Sequence, residues 1–152
     1  MMRNMNRFTY VIFSVVASLM MLVSCAEKLD PELEKVVGEW RYAGDDASEM
    51  WDVYIAFDEN CTFEVYQKLG DGAYRRFEGR YTVDGGILSG TYSDGYPMAR
   101  DYKVSRSGSI LTMTFVGEDV AYRYKKTTIP ASVREHCKDM TRSSELSVER
   151  FL

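Results

Sequence analysis

The sequence predicts an all-β fold: an eight-stranded antiparallel up-and-down β-barrel with an N-terminal signal helix and a short C-terminal helix. From residue 36 onward, apolar and polar residues alternate with a period of two. Short groups of Gly, Asp, Asn and Ser interrupt this alternation about every ten residues. These interruptions are too short for a crossover helix, so each strand is expected to pair antiparallel with the next.

The composition is that of one globular domain. The 152 residues are 45% hydrophobic, 28% charged and 13% aromatic, which excludes a disordered or fibrous chain. The formal net charge is −4, and it becomes −6 without residues 1–24, which contain two arginines and no acidic residue. An acidic domain is a poor match for a phosphate backbone, so we expect no nucleic-acid partner.

The N-terminus has the pattern of a secretory signal. Arg3 and Arg7 precede an apolar run over residues 8–23, which is shorter than the roughly 20 residues of a membrane-spanning helix. Ser24-Cys25 resembles the lipobox of bacterial lipoproteins, in which the chain is cut before a cysteine that carries acyl chains such as palmitate. The resemblance implies a signal peptide over residues 1–24 and a lipid anchor at Cys25 that holds the protein to a membrane. An uncleaved anchor helix with an ordinary cysteine is the alternative.

The remaining elements follow in order. Residues 25–35 form a tether, in which Asp30-Pro31 predicts the start of a short helical turn. Eight strands are predicted over residues 36–43, 50–57, 61–67, 73–83, 86–92, 98–105, 110–116 and 120–127. Closure of the sheet removes its two open edges and leaves an interior that fits packed side chains or one small ligand.

Two segments follow the last strand. Residues 131–140 have a helical composition and are expected to pack outside the barrel, and residues 141–152 form a further helical turn or a frayed tail. Cys61 and Cys137 would remain as a pair in an oxidising compartment. They are predicted either to form a disulfide or to stay as two buried free thiols.

The apolar residues of the strands share one parity, which places them inside the barrel. They are Trp40, Tyr42, Trp51, Val53, Ile55, Phe57, Phe63, Val65, Phe77, Tyr81, Val83, Leu88, Tyr92, Met98, Tyr102, Val104, Leu111, Met113, Phe115, Val120, Tyr122 and Tyr124. No Asp, Glu or His has inward parity, so neither a carboxylate pair nor a Ser-His or Cys-His pair can form in the interior. We therefore predict a protein that is not an enzyme, with no catalytic residue, metal site or cofactor.

Two details of the strands bear on a binding site. A two-residue turn at Asp84-Gly85 would place Gly79 opposite Gly90. Facing glycines either let the sheet bend sharply or let a ligand lie against bare backbone. Arg100 has inward parity near a loop; it either meets an acidic head group of a ligand or reaches solvent and stacks on Tyr92 or Phe115.

Gly38-Glu39-Trp40 opens the first strand of this eight-stranded meander, directly after a short helical turn. This arrangement resembles the lipocalin group, specifically the lipocalin-like lipoproteins of Gram-negative bacteria. Asp101-Tyr102 is weakly similar to the second lipocalin motif, and Arg123 is the candidate for the arginine that packs over the tryptophan. The resemblance spans residues 36–137 and implies a barrel domain over residues 36–140. It also implies a cup for small apolar molecules, closed at one end by the N-terminal segment.

The resemblance implies a mouth formed by the loops at residues 44–49, 68–72, 93–97 and 117–119. The candidate ligand-binding residues are Trp51, Phe77, Tyr92, Arg100, Tyr102, Phe115 and Tyr122. We expect a small hydrophobic or amphipathic ligand and a place in the cell envelope, as an outer-membrane lipoprotein on the periplasmic face or the cell surface. The alternative is a barrel with a filled core that binds a protein partner, for which outward Tyr54, Tyr66 and Tyr74 would offer a surface.

Overall fold

The computed structural model describes residues 29–44, 52–68, 70, 72–140 and 150–152. The helices are α1 (Pro31–Val36) and α2 (Ala131–His136). The strands are β1 (Gly38–Tyr42), β2 (Val53–Phe57), β3 (Thr62–Lys68), β4 (Tyr74–Asp84), β5 (Ile87–Tyr92), β6 (Tyr102–Ser107), β7 (Ile110–Phe115), β8 (Ala121–Lys126) and β9 (Lys138–Asp139). Neither helix in this part of the chain has the length or the apolar run needed to cross a bilayer.

Strands β1 to β8 close into a barrel because β1 pairs with β8 as well as with β2. Trp40 on β1 lies opposite Ile55 on β2 and opposite Lys126 on β8. Each strand from β2 to β7 pairs antiparallel with its two neighbours in the sequence. The predicted eight-stranded up-and-down barrel is therefore confirmed. The short β9 adds to β4 in a parallel orientation, outside this closed ring.

The barrel interior holds the apolar side chains that alternate along the strands. One contiguous core runs from Trp40 through Ile55, Phe77 and Tyr102 to Tyr124. The predicted inward position of Val120 is wrong, because this residue precedes β8 in the β7–β8 turn and its side chain is 41% exposed. Trp51 lies outside the described residues.

Helix α1 closes one end of the barrel. The side chain of Asp30 accepts a hydrogen bond from the Glu32 N–H at 2.9 Å, and Pro31 is the first helical residue, as predicted. Val36 at the end of α1 is fully buried, and its carbonyl accepts a hydrogen bond from Trp40 Nε1 at 2.7 Å. The N-terminal segment therefore closes this end through the tryptophan of the first strand.

The arginine that packs over Trp40 is Arg106, and the prediction of Arg123 is wrong. The Arg106 guanidinium carbon lies 5.4 Å from the Trp40 ring centroid, and its Nη1 donates to the Glu34 carbonyl at 3.0 Å. Arg106 is near the end of β6, beside the β6–β7 turn, which lies at the same end of the barrel as α1. Arg123 is exposed in the middle of β8, opposite Thr112.

The β4–β5 hairpin turns at Gly85-Gly86 instead of Asp84-Gly85. Asp84 pairs with Ile87, so Gly79 lies opposite Tyr92 and not opposite Gly90. Both turn glycines have positive φ, 55° and 78°, which a two-residue type I′ turn requires at both positions. The predicted facing glycines are therefore wrong, and the space beside Gly79 is occupied by the Phe63 ring.

Strand β6 begins later than predicted, at Tyr102 instead of Met98. The preceding residues fold against β5: the Met98 N–H donates to the Gly90 carbonyl at 2.9 Å, and Thr91 bridges to Pro97, which has no N–H to donate. β5 and β6 consequently pair only at Ile87–Lys103 and Leu88–Tyr102. Beyond these two pairs, residues 93–101 form the part of the barrel wall that lies between β5 and β6, at the end away from the β4–β5 turn.

Helix α2 packs outside the barrel, as predicted, and covers part of its outer wall, but it ends at His136 and not at residue 140, because Lys138–Asp139 pair with β4 as β9. Ile129 and Val133 are buried with Tyr54 and Tyr66 in a second hydrophobic cluster, and Tyr74 is packed against the same cluster. Arg134 of α2 donates to Glu39 at 2.6 Å and to Glu64 at 2.8 Å. Tyr54 and Tyr66 do not form the exposed surface that the sequence suggested, because α2 lies on them.

Of the two alternatives predicted for Cys61 and Cys137, the structure has the free thiols and not the disulfide, and both residues are partly buried. Cys61 packs against the interior core, whereas Cys137 packs against the outer cluster beneath α2. The Cys137 thiol also lies 3.1 Å from the Arg134 carbonyl. The two cysteines therefore belong to opposite faces of the barrel wall.

Candidate functional site

The end of the barrel opposite α1 is rich in aromatic side chains that point inward. The loops β1–β2, β3–β4, β5–β6 and β7–β8 lie at this end, which we call the mouth. The residues of the aromatic mouth are Tyr42, Tyr92, Tyr102, Phe115, Tyr122 and Tyr124. All six occupy inward positions. Five lie within two residues of the mouth end of their strands, and Tyr124 lies in the middle of β8 beside Tyr42, so the alternation of the strands and the chain reversals at the loops bring them together.

Four rings of the aromatic mouth, those of Tyr42, Tyr102, Phe115 and Tyr122, pack edge to face in a continuous row. The Tyr102 and Phe115 centroids are 5.5 Å apart, Phe115 and Tyr122 are 5.2 Å apart, and Tyr42 and Tyr122 are 5.7 Å apart. Their interplanar angles lie between 67° and 79°. This geometry is favourable for aromatic pairs and gives the mouth a lining that is apolar in its rings and polar at the tyrosine hydroxyls.

The last three residues of the sequence, Arg150–Leu152, lie in the mouth. The Phe151 ring is 5.5 Å from Tyr42 and 5.7 Å from Tyr122, measured between centroids. Leu152 is 1% exposed within the interior core. Its carbonyl accepts a hydrogen bond from the Tyr92 hydroxyl at 2.7 Å. The described end of the predicted tail is thus packed in the barrel, while residues 141–149 lie outside the described residues.

Arg150 is held by three rings and one carboxylate at the rim. Its guanidinium carbon lies 4.5 Å from the Tyr92 centroid, 5.1 Å from Tyr96 and 5.7 Å from Phe77. Nη1 donates to one oxygen of Asp94 at 3.2 Å, and Nη2 donates to the other. Burial raises the pKa of Asp94, but hydrogen bonds from Arg150 and from the Tyr96 backbone outweigh it and lower the pKa below 3.8.

Burial raises the pKa values of three tyrosines around the mouth. Burial, together with the neighbouring Tyr122, raises the pKa of Tyr102 to about 12. The pKa values of Tyr92 and Tyr124 are also raised, chiefly by burial and then by the nearby Tyr102. The Tyr124 side chain is fully buried, and its hydroxyl makes no hydrogen bond with the described residues. An unpaired buried hydroxyl is costly, so this atom is a ready partner for a polar group that enters the barrel.

Most of the predicted ligand-binding residues lie together. Phe77, Tyr92, Tyr102, Phe115 and Tyr122 all contribute to the interior at or below the mouth. Arg100 does not point inward: it precedes β6, its side chain is 55% exposed, and Nε lies 3.7 Å from Glu118. It also lies over the Phe115 ring at 5.9 Å, which is one of the two arrangements expected for it.

The sequence did not identify Asp94, Tyr96 and Arg150–Leu152 as site residues. Strand alternation correctly predicts Tyr42 and Tyr124 inside the barrel, but it does not identify them as site residues. Strand alternation indicates which residues point inward, but it carries no information on contacts between the end of the chain and the 93–97 loop. The local signal that could have indicated the end of the chain as part of the site is the pair Arg150-Phe151, an arginine followed by an aromatic residue.

The described residues form at least two grooves on the outer surface. The larger, about 870 Å³, follows β1 to β4 beside α2, and its lining includes Glu39, Glu64, Glu78 and Arg134. Arg134 is already paired with two of these carboxylates. The smaller, about 380 Å³, lies beside the β7–β8 turn and includes Lys103 and Glu118 in its lining. Within the described part of the chain, no group of three or more His, Cys, Asp or Glu residues is placed to hold a metal ion.

Comparisons with known proteins agree with this architecture. A family model described as a lipocalin-like domain matches residues 36–113, half of the chain. A solved NMR structure of a protein from Bacteroides uniformis is similar in fold, with a TM-score of 0.50 and 14% sequence identity. The similarity covers 64% of this chain and 93% of that one. No curated protein sequence matches the chain.

Proposed function

Because the chain belongs to the family of lipocalin-like domains, whose barrel is a ligand-binding type of fold, we propose that it binds a small hydrophobic or amphipathic molecule in its aromatic mouth. The proposed contact residues are Phe77, Tyr92, Tyr102, Phe115 and Tyr122. Trp51 stays a predicted contact on sequence grounds, and Arg100 would act only from the rim. In this role the protein would need no catalytic residue, metal or cofactor.

The observation that carries the proposal is the buried Tyr124 hydroxyl, which has no hydrogen-bond partner among the described residues and lies inside an aromatic lining. Ligand sites are typically lined by apolar and aromatic side chains with a few polar groups that orient the ligand. The mouth has this character, since rings supply the apolar area and the hydroxyls of Tyr92, Tyr122 and Tyr124 supply the polar groups. The contacts of the amphipathic segment Arg150–Leu152 in the mouth support the proposal, because an apolar body with a polar end already packs there.

The binding test is native mass spectrometry of the protein purified together with its membrane. We expect a co-purifying small molecule on the wild-type chain. It should be lost from Phe115→Glu, which places a charge in the mouth, and retained by Thr114→Glu, which points outward from the neighbouring position of β7. Loss from both variants, or retention by both, would remove the mouth as the binding site.

We further propose that the protein is an outer-membrane lipoprotein anchored through Cys25, on the periplasmic face or the cell surface. The support is the sequence pattern alone: a basic start, an apolar run and Ser24-Cys25. Because α1 (Pro31–Val36) is packed on the barrel, residues 25–30 would then tether it to the membrane at a distance of about 20 Å or less. Labelling of cells with radioactive palmitate tests this assignment. Cys25→Ser should abolish labelling and membrane attachment, whereas Cys61→Ser should leave both unchanged.

A filled barrel that binds a protein partner is the second candidate. The observation in its favour is that Phe151 and Leu152 already occupy the mouth. An envelope protein of this kind would carry no small molecule and would retain a partner polypeptide in the same native mass spectrum. Its surface would have to lie away from Tyr54 and Tyr66, because α2 covers them.

A further inference from the structure

The rim of the mouth is an aromatic cage that currently holds a positive charge. The rings of Phe77, Tyr92 and Tyr96 all lie within 6 Å of the Arg150 guanidinium carbon. At this distance the negative face of an aromatic ring attracts a cation, and several rings around one cation are the arrangement used to recognise ammonium groups. Asp94 adds a full negative charge to the same place.

The chemistry of the cage selects the charge of its occupant. A carboxylate or phosphate placed there would face Asp94 and the negative ring faces, and both interactions are repulsive. Arg100, which was predicted as a partner for an acidic head group, is exposed and lies beside Glu118 at the rim. The rim therefore favours an ammonium or guanidinium group over an acidic head group.

The segment Arg150–Leu152 shows how such an occupant would lie. Its cation sits in the cage, the Phe151 ring packs between Tyr42 and Tyr122, and Leu152 enters the apolar core. Tyr92 joins the two parts, because its ring faces the cation and its hydroxyl donates to the Leu152 carbonyl. A molecule with a cationic head and an apolar body would reproduce these contacts.

We propose that the cage of Phe77, Tyr92, Tyr96 and Asp94 is a cation subsite, that the ligand of the mouth is an amphipath with a cationic head group, and that Arg150 competes with it for this subsite. This inference rests on the proposed function and adds the ligand class and an internal competitor. Arg150 holds the subsite until a ligand with a stronger cation contact displaces it.

The test compares three probes of equal chain length: decyltrimethylammonium, decyl sulfate and decyl maltoside. Calorimetric titrations use the full chain and its Arg150→Gln variant, which removes the resident cation. We expect Arg150→Gln to bind the ammonium probe about tenfold more tightly than wild type does, and about tenfold more tightly than it binds the other two probes. Wild-type affinity equal to that of the variant would overturn the competition.

Two further variants test whether Asp94 causes the preference for the ammonium probe. In the Arg150→Gln background, Asp94→Asn should remove most of the preference for ammonium, whereas Asp119→Asn, at an exposed carboxylate of the β7–β8 loop, should preserve it. Equal binding of the three probes, or preference for the sulfate, would overturn the cation subsite and leave the proposed function standing. Failure of every probe to bind either chain would overturn both.

A measurement on the wild-type chain keeps the test independent of the folding of Arg150→Gln. Saturation with decyltrimethylammonium should change the NMR resonance of Arg150 Nε, because the guanidinium leaves Asp94. The same concentration of decyl sulfate should leave that resonance in place. An Arg150 signal that responds to neither probe, or equally to both, would overturn the proposal.

Discussion

Gly79 sits where the barrel wall leaves no room for a side chain. A Cβ atom there would lie 2.3 Å from the Thr91 carbonyl oxygen and 2.7 Å from the Phe63 ring. Because the nearer obstacle is backbone, Gly79→Ala should lower the free energy of unfolding by about 2 kcal/mol. Urea denaturation measures this loss, and Gly70→Ala, with no atom within 4 Å of its new Cβ, should be close to neutral. Equal stability of the two variants would contradict this packing.

Arg106 secures the closed end through Trp40 and α1. Arg106→Ala removes the cation above the tryptophan ring and the hydrogen bond to the Glu34 carbonyl, so it should cost about 1 kcal/mol of unfolding free energy. Arg123→Ala is the matched control, because Arg123 is exposed in the middle of β8. If thermal melting shows that Arg123→Ala destabilises the protein more than Arg106→Ala does, Arg123 and not Arg106 is the arginine that stabilises the closed end.

At the residue scale, the sequence predicts burial well and specific partners poorly. Trp40, Phe77 and Tyr102 were placed in the core because strand alternation fixes the face on which a side chain lies. The arginine above Trp40 was misassigned, since this contact depends on which turns meet at the closed end. Asp94 was missed for the same reason: its partner is Arg150, far along the chain.

Helix α2 should protect Tyr66 on the outer wall. Burial, together with the Glu64 carboxylate, raises the pKa of Tyr66 to about 12 from 10.0, against the opposing charge of Arg134. Val133→Asp should release α2, because it places a charge in the buried contact, and the pKa of Tyr66 should fall toward 10.0. Tyrosine-selective NMR during an alkaline titration measures the pKa of Tyr66 in the variant and in the wild type.

The control for the release of α2 is Ser132→Asp, one residue earlier on the exposed side of the same helix. It should leave the pKa of Tyr66 unchanged. A Tyr66 pKa that stays near 12 in Val133→Asp would show that α2 is not what shields this residue.

At the element scale, every strand of the barrel was predicted, but the β4–β5 register and the start of β6 were not. Alternation and turn residues define β1 to β8, whereas the β4–β5 register depends on which of two overlapping turn signals, Asp84-Gly85 or Gly85-Gly86, closes the hairpin. The start of β6 depends on Pro97. This residue bridges to Thr91, so the chain first folds back on β5 and the paired strand β6 begins only at Tyr102. The seating of Arg150–Leu152 is a contact between distant elements, and no local pattern encodes it.

The whole barrel should unfold in alkali because it buries tyrosines in their neutral form. The pKa values of Tyr66 and Tyr102 are raised to about 12, and those of Tyr81, Tyr92 and Tyr124 are raised as well. A raised tyrosine pKa stabilises the fold fully below the unfolded value of 10.0, and this stabilisation is lost as the pH rises through the folded value.

Stability should therefore be insensitive to these tyrosines below pH 10 and should fall steeply between pH 10 and pH 12. Tyrosinate absorbance and circular dichroism, followed together, should change in one cooperative step. Ionisation of all tyrosines near pH 10 while the barrel stays folded would contradict their burial.

The aromatic mouth, and not the outer wall, is the proposed site for a small apolar or amphipathic molecule. Intermolecular NOE measurements on the full chain with decanol, an uncharged alkyl probe, distinguish these two surfaces. We expect contacts from the alkyl protons to Tyr102, Phe115 and Tyr122, together with displacement of Phe151. Contacts confined to Tyr66 and Tyr74 on the outer wall, with Phe151 in place, would contradict it.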